Sequence, residues 1–231
     1  MMGAVRRSTV IGVMLAAVLT MPSANATPLA SATTAAHRGT AYQAHIQRLP
    51  APIRKLMIGR SWHAGCPVAL RDLRLITLTY WGFDRTPLTG KLVVHQRWAP
   101  KVTRVFHQLY DARFPIRRMK LVDRYSAVDM RSMKADNTSA FNCRYRNNEC
   151  CVWSQHAYGR AIDINPVENP YVGPWGVSPP NGARFVRRKP IRRGMLSFHD
   201  RAWWAFHAIG WEWGGSWSWP TDYQHFSATN R

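Results

Sequence analysis

The segment Ser-Gln-His-Ala-Tyr-Gly-Arg-Ala-Ile-Asp-Ile, residues 154–164, constrains the fold more than any other stretch. Gly159 marks a turn, and residues 161–164 follow as a short strand. In a strand Ile162 and Ile164 point one way, into a core, which turns Asp163 the other way, toward the space that His156 can reach. The chain must therefore hold a turn against a strand so that an imidazole and a carboxylate converge.

A second polar pair stands near the C-terminus. Residues 210–226 read Gly-Trp-Glu-Trp-Gly-Gly-Ser-Trp-Ser-Trp-Pro-Thr-Asp-Tyr-Gln-His-Phe, with Asp222 three residues before His225. Catalytic zinc takes three nitrogen or oxygen ligands from the protein and leaves a fourth position open. His156, Asp163 and His225 supply such a set. Asp222, near the ion but not bound to it, has the chemistry of a general base, with Glu212 the next acid in line.

The two motifs carry a family resemblance. Ser154-x-His156-x-x-Gly159-x-Ala161-x-Asp163 resembles the S-x-H-x-x-G-x-A-x-D signature of zinc D-alanyl-D-alanine carboxypeptidases and the related L-alanyl-D-glutamate endopeptidases. Trp-Gly-Gly-Ser-Trp followed by Asp222-x-x-His225-Phe226 resembles that family's second signature. The resemblance covers residues 65–227 and implies an α+β fold like that of Hedgehog signalling domains, with a small antiparallel sheet beneath one zinc ion and helices flanking it. It implies His156, Asp163 and His225 as ligands, Asp222 as base and Ser154 as a neighbour that orients the site and meets substrate. By the same likeness Arg131 stabilises the oxygen of the cleaved carbonyl, and Asn137 stands roughly where the family has a substrate-binding glutamine. Two departures are Met130, where the family has an aromatic residue, and Ser227, where many members have Glu. The implied activity is hydrolysis of peptidoglycan stem peptides, by either carboxypeptidase or endopeptidase cleavage. A catalytically silent, zinc-containing wall-binding module is the rival reading, which the presence of Asp222 disfavours.

Elsewhere the sequence bounds compartment and architecture. Arg6 and Arg7 precede an apolar run, and Ala24-Asn25-Ala26 follows it, so residues 1–26 read as a signal peptide and the product as secreted to the cell wall or beyond. Residues 27–40, rich in Ala, Thr and Ser, read as a flexible tether, and residues 41–231 as one domain. No later stretch has the length of a membrane helix. The first 26 residues hold two of the 32 basic residues and none of the 12 acidic ones, which leaves 30 against 12, a net +18. Such a field suits anionic wall polymers, and six basic residues without an acid in 184–193 read either as a dock for them or as a plain solvated loop. A nucleic-acid binder is disfavoured, since no known module pairs aromatics with the basic residues.

Four cysteines in an exported chain point to disulfides. Of the three pairings, Cys66 with Cys143 is preferred because the adjacent Cys150 and Cys151 are awkward to join; a cysteine-rich zinc site competes but lacks a C-x-x-C pair. Residues 73–81 and 90–95 read as an antiparallel strand pair, residues 101–114 as a helix, and Ser197 as the cap of a second helix that ends at Gly210 and braces the site.

Overall fold

The computed structural model describes residues 1–3, 41–146 and 150–229. The signal segment and tether expected in residues 1–40 lie, apart from residues 1–3, outside the described residues. From residue 41 onward the described chain forms one compact unit.

An antiparallel sheet organises it, with β1 (Ala44–Arg48), β2 (Leu73–Trp81) and β3 (Pro87–His95) in spatial order. The β2–β3 pairing is the expected one, from Leu73 opposite His95 to Trp81 opposite Pro87. Strand β3 begins three residues earlier than the apolar run, because ladder pairing continues to the turn whatever the side chains. Strand β1 was not legible from periodicity: it is an edge strand, mostly exposed.

Side-chain alternation along β2 and β3 gives this sheet two buried faces. Ile76, Leu78, Leu92 and Val94 enter one core with Val102, Val105, Phe106 and Leu109 of α2 (Ala99–Asp111). Leu73, Leu75 and Val93 enter another with Met57 of α1 (Ala51–Met57), Phe141, Cys143 and Ala157. Helix α2 starts two residues before the expected helix and stops at Asp111 rather than at residue 114. Pro100 suits its first turn, and Arg113 turns to φ 51° just past its end.

The rest of the chain is built from short elements: β4 (Arg118–Met119), α3 (Asp129–Lys134), β5 (Asn137–Thr138), β6 (Ala161–Asp163), β7 (Tyr171–Gly173), β8 (Gly176–Ser178), α4 (Arg201–His207), β9 (Glu212–Trp213), β10 (Thr221–Asp222) and β11 (His225–Ser227). Two further antiparallel sheets run in the orders β6–β11–β9 and β10–β7–β8, and β4 pairs in parallel with β5. The architecture is α+β, with small antiparallel sheets and flanking helices.

The cap of α4 corrects the sequence reading. Asp200, not Ser197, is the N-cap: its carboxylate accepts the N–H of Trp203 at 2.7 Å and that of Ser197 at 2.7 Å. The helix therefore begins three residues later than expected. Of its aromatic stripe Phe206 is buried while Trp204 is exposed. Phe206 stacks on Phe226 of β11 at 4.1 Å and meets Phe106 of α2 edge-on at 6.5 Å, so α4 wedges the site's strand against the main core.

Cys66 and Cys143 are joined in a disulfide that closes a 77-residue separation and ties the segment before the site to the second core. In the basic run, Arg188 is internal. It donates to the carbonyls of Glu168, Phe185 and Leu196 and lies over Tyr223 at 4.2 Å, while Arg184 and Arg192 lie over Phe185. The run is thus partly structural, with Arg188 turned inward and its other five basic residues exposed.

Candidate metal centre and active-site cleft

His156 lies in the tight turn Gln155–Tyr158, which Ser154 caps by accepting the His156 N–H at 3.3 Å. Gly159 closes the turn at φ 62°, and a Cβ there would meet the backbone nitrogen of His95 at 2.6 Å, so only glycine fits. The turn lies against the end of β3 through the His95 N–H to Gly159 carbonyl bond of 2.9 Å.

Register then brings the other two groups together. In the sheet β6–β11–β9, His225 stands directly opposite Asp163, with Ile162 opposite Phe226. Ile162 and Ile164 are fully buried, as the alternation required, and Asp163 faces the cleft. Ser139 and Asp163 exchange backbone hydrogen bonds of 2.9 and 3.1 Å, fixing the strand from its other edge.

The resulting triangle is tight. His156 Nε2 lies 3.2 Å from an Asp163 oxygen and 3.2 Å from His225 Nδ1, and His225 Nδ1 lies 3.0 Å from the other Asp163 oxygen. His156 Nδ1 donates to the Ala140 carbonyl at 2.5 Å; a carbonyl can only accept, so the proton is on Nδ1 and the Nε2 lone pair faces the carboxylate. Lone pairs converging at this spacing call for a cation among them. Around a tetrahedral ion with donor bonds of about 2.0–2.1 Å the donor–donor edges are about 3.3 Å, close to the edges found here. The donor set, two imidazoles and a carboxylate with the backbone orienting one ring, fits zinc.

Burial opposes charge on His156, but the Asp163 carboxylate prevails and raises its pKa. Burial likewise works against an ionised Asp163, yet the two imidazoles hold it well below the usual carboxylate range, so it stays an anion.

Asp222 comes from a different sheet, where β10 pairs with β7 and sets it opposite Tyr171. It lines the same cleft as the three donors, and among the described residues its Oδ1 is buried without a hydrogen-bond partner. Burial, then the negative charge of Asp163, push its carboxyl up to about 6. Gly214 holds it in place: a Cβ there would strike the Asp222 carbonyl oxygen at 2.6 Å.

The cleft has a volume of about 1200 Å³, and its lining sorts the remaining sequence candidates. Ser154 lines it beside His156. Arg131 does not: Asp129, Met130, Ser132 and Met133 of α3 face the cleft, whereas Arg131 and Lys134, three apart, are turned outward, and Arg131 is exposed. Asn137 is fully buried and clamps β4 to β5 instead, accepting the Lys120 N–H at 2.8 Å and donating to the Lys120 carbonyl and to Ser132 Oγ. Glu212 is exposed on β9, outside the cleft. Sequence reasoning missed Arg144, which lines the cleft and pairs with Asp129. Its position next to Cys143, the anchored half of the disulfide, was the available signal.

A second donor cluster, His63 with Cys66 and Cys143, has both sulfurs spent in the disulfide. Cys150 and Cys151 are exposed with their sulfurs 2.6 Å apart. Among the described residues no helix is long and apolar enough to cross a membrane.

Residues 148–228 match the model of the D-alanyl-D-alanine carboxypeptidase family, which bears out the resemblance read from the two motifs over that segment. The match contains Ser154, His156, Asp163, Asp222 and His225 and stops short of Arg131, Asn137 and Arg144. No curated protein and no solved structure matches the chain.

Proposed function

We propose that the chain is an exported metallopeptidase that hydrolyses peptide bonds in the stem peptides of bacterial peptidoglycan, with His156, Asp163 and His225 holding one zinc ion and Asp222 serving as general base. The observation that carries this reading is the conjunction of a three-donor triangle with edges of 3.0–3.2 Å and a buried, unpartnered carboxylate oxygen in one cleft. A silent binding module would have no use for that carboxylate, and leaving it buried without a partner costs stability.

Zinc, when bound, supplies Lewis acidity and makes a water molecule nucleophilic at neutral pH. The chain's own groups do the rest. The Ala140 carbonyl fixes the His156 ring and its tautomer. Ser139 fixes the strand that carries Asp163. Asp222 takes the proton of the attacking water at Oδ1 and passes it to the leaving amine, a role suited by a buried carboxylate oxygen that has no other partner in the cleft among the described residues. Arg144, in the cleft wall with Arg146 and paired with Asp129, brings a guanidinium to the cleft for the carbonyl oxygen of the substrate, the role first expected of Arg131.

The test is to purify residues 27–231, determine bound metal by elemental analysis, and incubate with stem peptides with and without chelator. Cleavage that chelator abolishes and zinc restores supports the reading and identifies the bond cut. One bound zinc without cleavage of any stem moves the weight to the silent module, and absence of metal refutes the site.

A further inference from the structure

The cleft continues beyond the metal-facing residues onto the sheet β10–β7–β8. Strands β7 and β8 are joined by the two-residue turn Pro174–Trp175, between the paired Gly173 and Gly176. Such turns favour Asn, Asp and Gly, so the fold gives no reason for tryptophan there. Trp175 is 93% exposed. Trp219, 56% exposed, stands just before β10, and the register of Thr221 opposite Val172 brings it out at the same end of the sheet as Trp175. Both line the cleft with Asp222, and Trp219 is three residues from Asp222, no more than about 11 Å along the chain.

We propose that Trp175 and Trp219 form a stacking platform for a pyranose ring of the glycan strand to which the stem peptide is attached, so that the preferred substrate is glycan-linked stem rather than free peptide. This rests on the peptidase reading above. Three observations favour a neutral sugar. Residues 171–178 and 217–222 contain no Lys or Arg, so this wall offers nothing to a polyanion. The chain beside the two tryptophans, Gly173, Pro174, Pro220 and Thr221, carries no long aliphatic side chain for a lipid chain or a hydrophobic helix. An indole face is flat and apolar with a wet rim, which matches the C–H face of a pyranose whose hydroxyls stay in water. The cleft, at about 1200 Å³, has room for a sugar ring beside the peptide.

The experiment compares kcat/KM for a disaccharide-linked stem and the same stem without sugar, in the wild-type protein and in W175A, W219A and the double variant. Wild type should prefer the sugar-linked stem by about tenfold, through KM, and the double variant should bring that ratio to about one. Trp175 is too exposed for its loss to disturb packing, and circular dichroism checks the fold of each variant. Equal use of the two stems by wild type, or a ratio that survives the double substitution, overturns the platform. If neither stem is cut, the peptidase reading fails instead, and calorimetric titration with a chitin tetrasaccharide decides the platform alone. Saturable binding that the double variant loses supports it; no binding, or binding the variant keeps, overturns it.

Discussion

Replacing Glu168 by Gln should flatten the pH dependence of this protein's stability. Glu168 lies in the loop between β6 and β7 and is 3% exposed. One carboxyl oxygen is 3.5 Å from Arg117. Burial, then the hydrogen bond and the charge of Asp136, push its pKa up to about 8 from an ordinary 4.5. Between those two values the folded chain holds a proton that the unfolded chain has released. The native state binds more protons, so stability is full below pH 4.5, declines as pH rises, and is lost through pH 8. Integrated from pH 5 to pH 8, the loss is about 3 kcal/mol. With a urea slope of about 1–3 kcal/mol per molar, the midpoint should fall by about 1 M or more over that range. Gln keeps the shape and can still donate to Asp136, but has no proton to lose. Urea melts of both proteins, stripped of metal by chelator, at each pH unit from 5 to 8 make the comparison; titrating groups remote from Glu168 are common to both and cancel in the difference. Parallel curves for wild type and E168Q would refute the reasoning and mean that the ion pair with Arg117 keeps Glu168 charged in the folded state.

The remaining predictions concern the site and its anchor. Asp222→Ala should keep its zinc by elemental analysis yet lose about 10²-fold or more in turnover, whereas His156→Ala should lose the metal. Full activity in the Asp222 variant would remove the base assignment. Arg144→Ala should lower kcat/KM at least about tenfold, while Arg131→Ala should stay within about twofold; the reverse order would restore the role first read for Arg131. Replacing Cys66 and Cys143 by Ser should cost up to about 4 kcal/mol in urea melts, the scale expected for a loop as long as the 77-residue separation.

Local pattern carried much of this protein. The strand 73–81 was legible to the residue because its β-branched and aromatic run ends where pairing ends. The convergence of His156 and Asp163 was legible because turn and strand are short-range: Gly159 and the Ile162–Ile164 alternation by themselves set the two on one side. Capping was misread at α4, since Ser197 and Asp200 both suit a cap and only the packing of Phe206 against Phe226 selects which turn becomes helix.

What the sequence by itself determined was the chemistry: which side chains bear ligand nitrogens and carboxylates, and the compact run that aims two of them. Only the tertiary structure decided membership of the cleft. The rotational phase of α3 turns Arg131 outward, the disulfide and its segment bring Arg144 in, and the pairing of β10 with β7 sets Asp222, Trp219 and Trp175 along one wall. Those choices depend on contacts between residues far apart in the chain, and such contacts form wherever burial is greatest overall, which no local periodicity encodes.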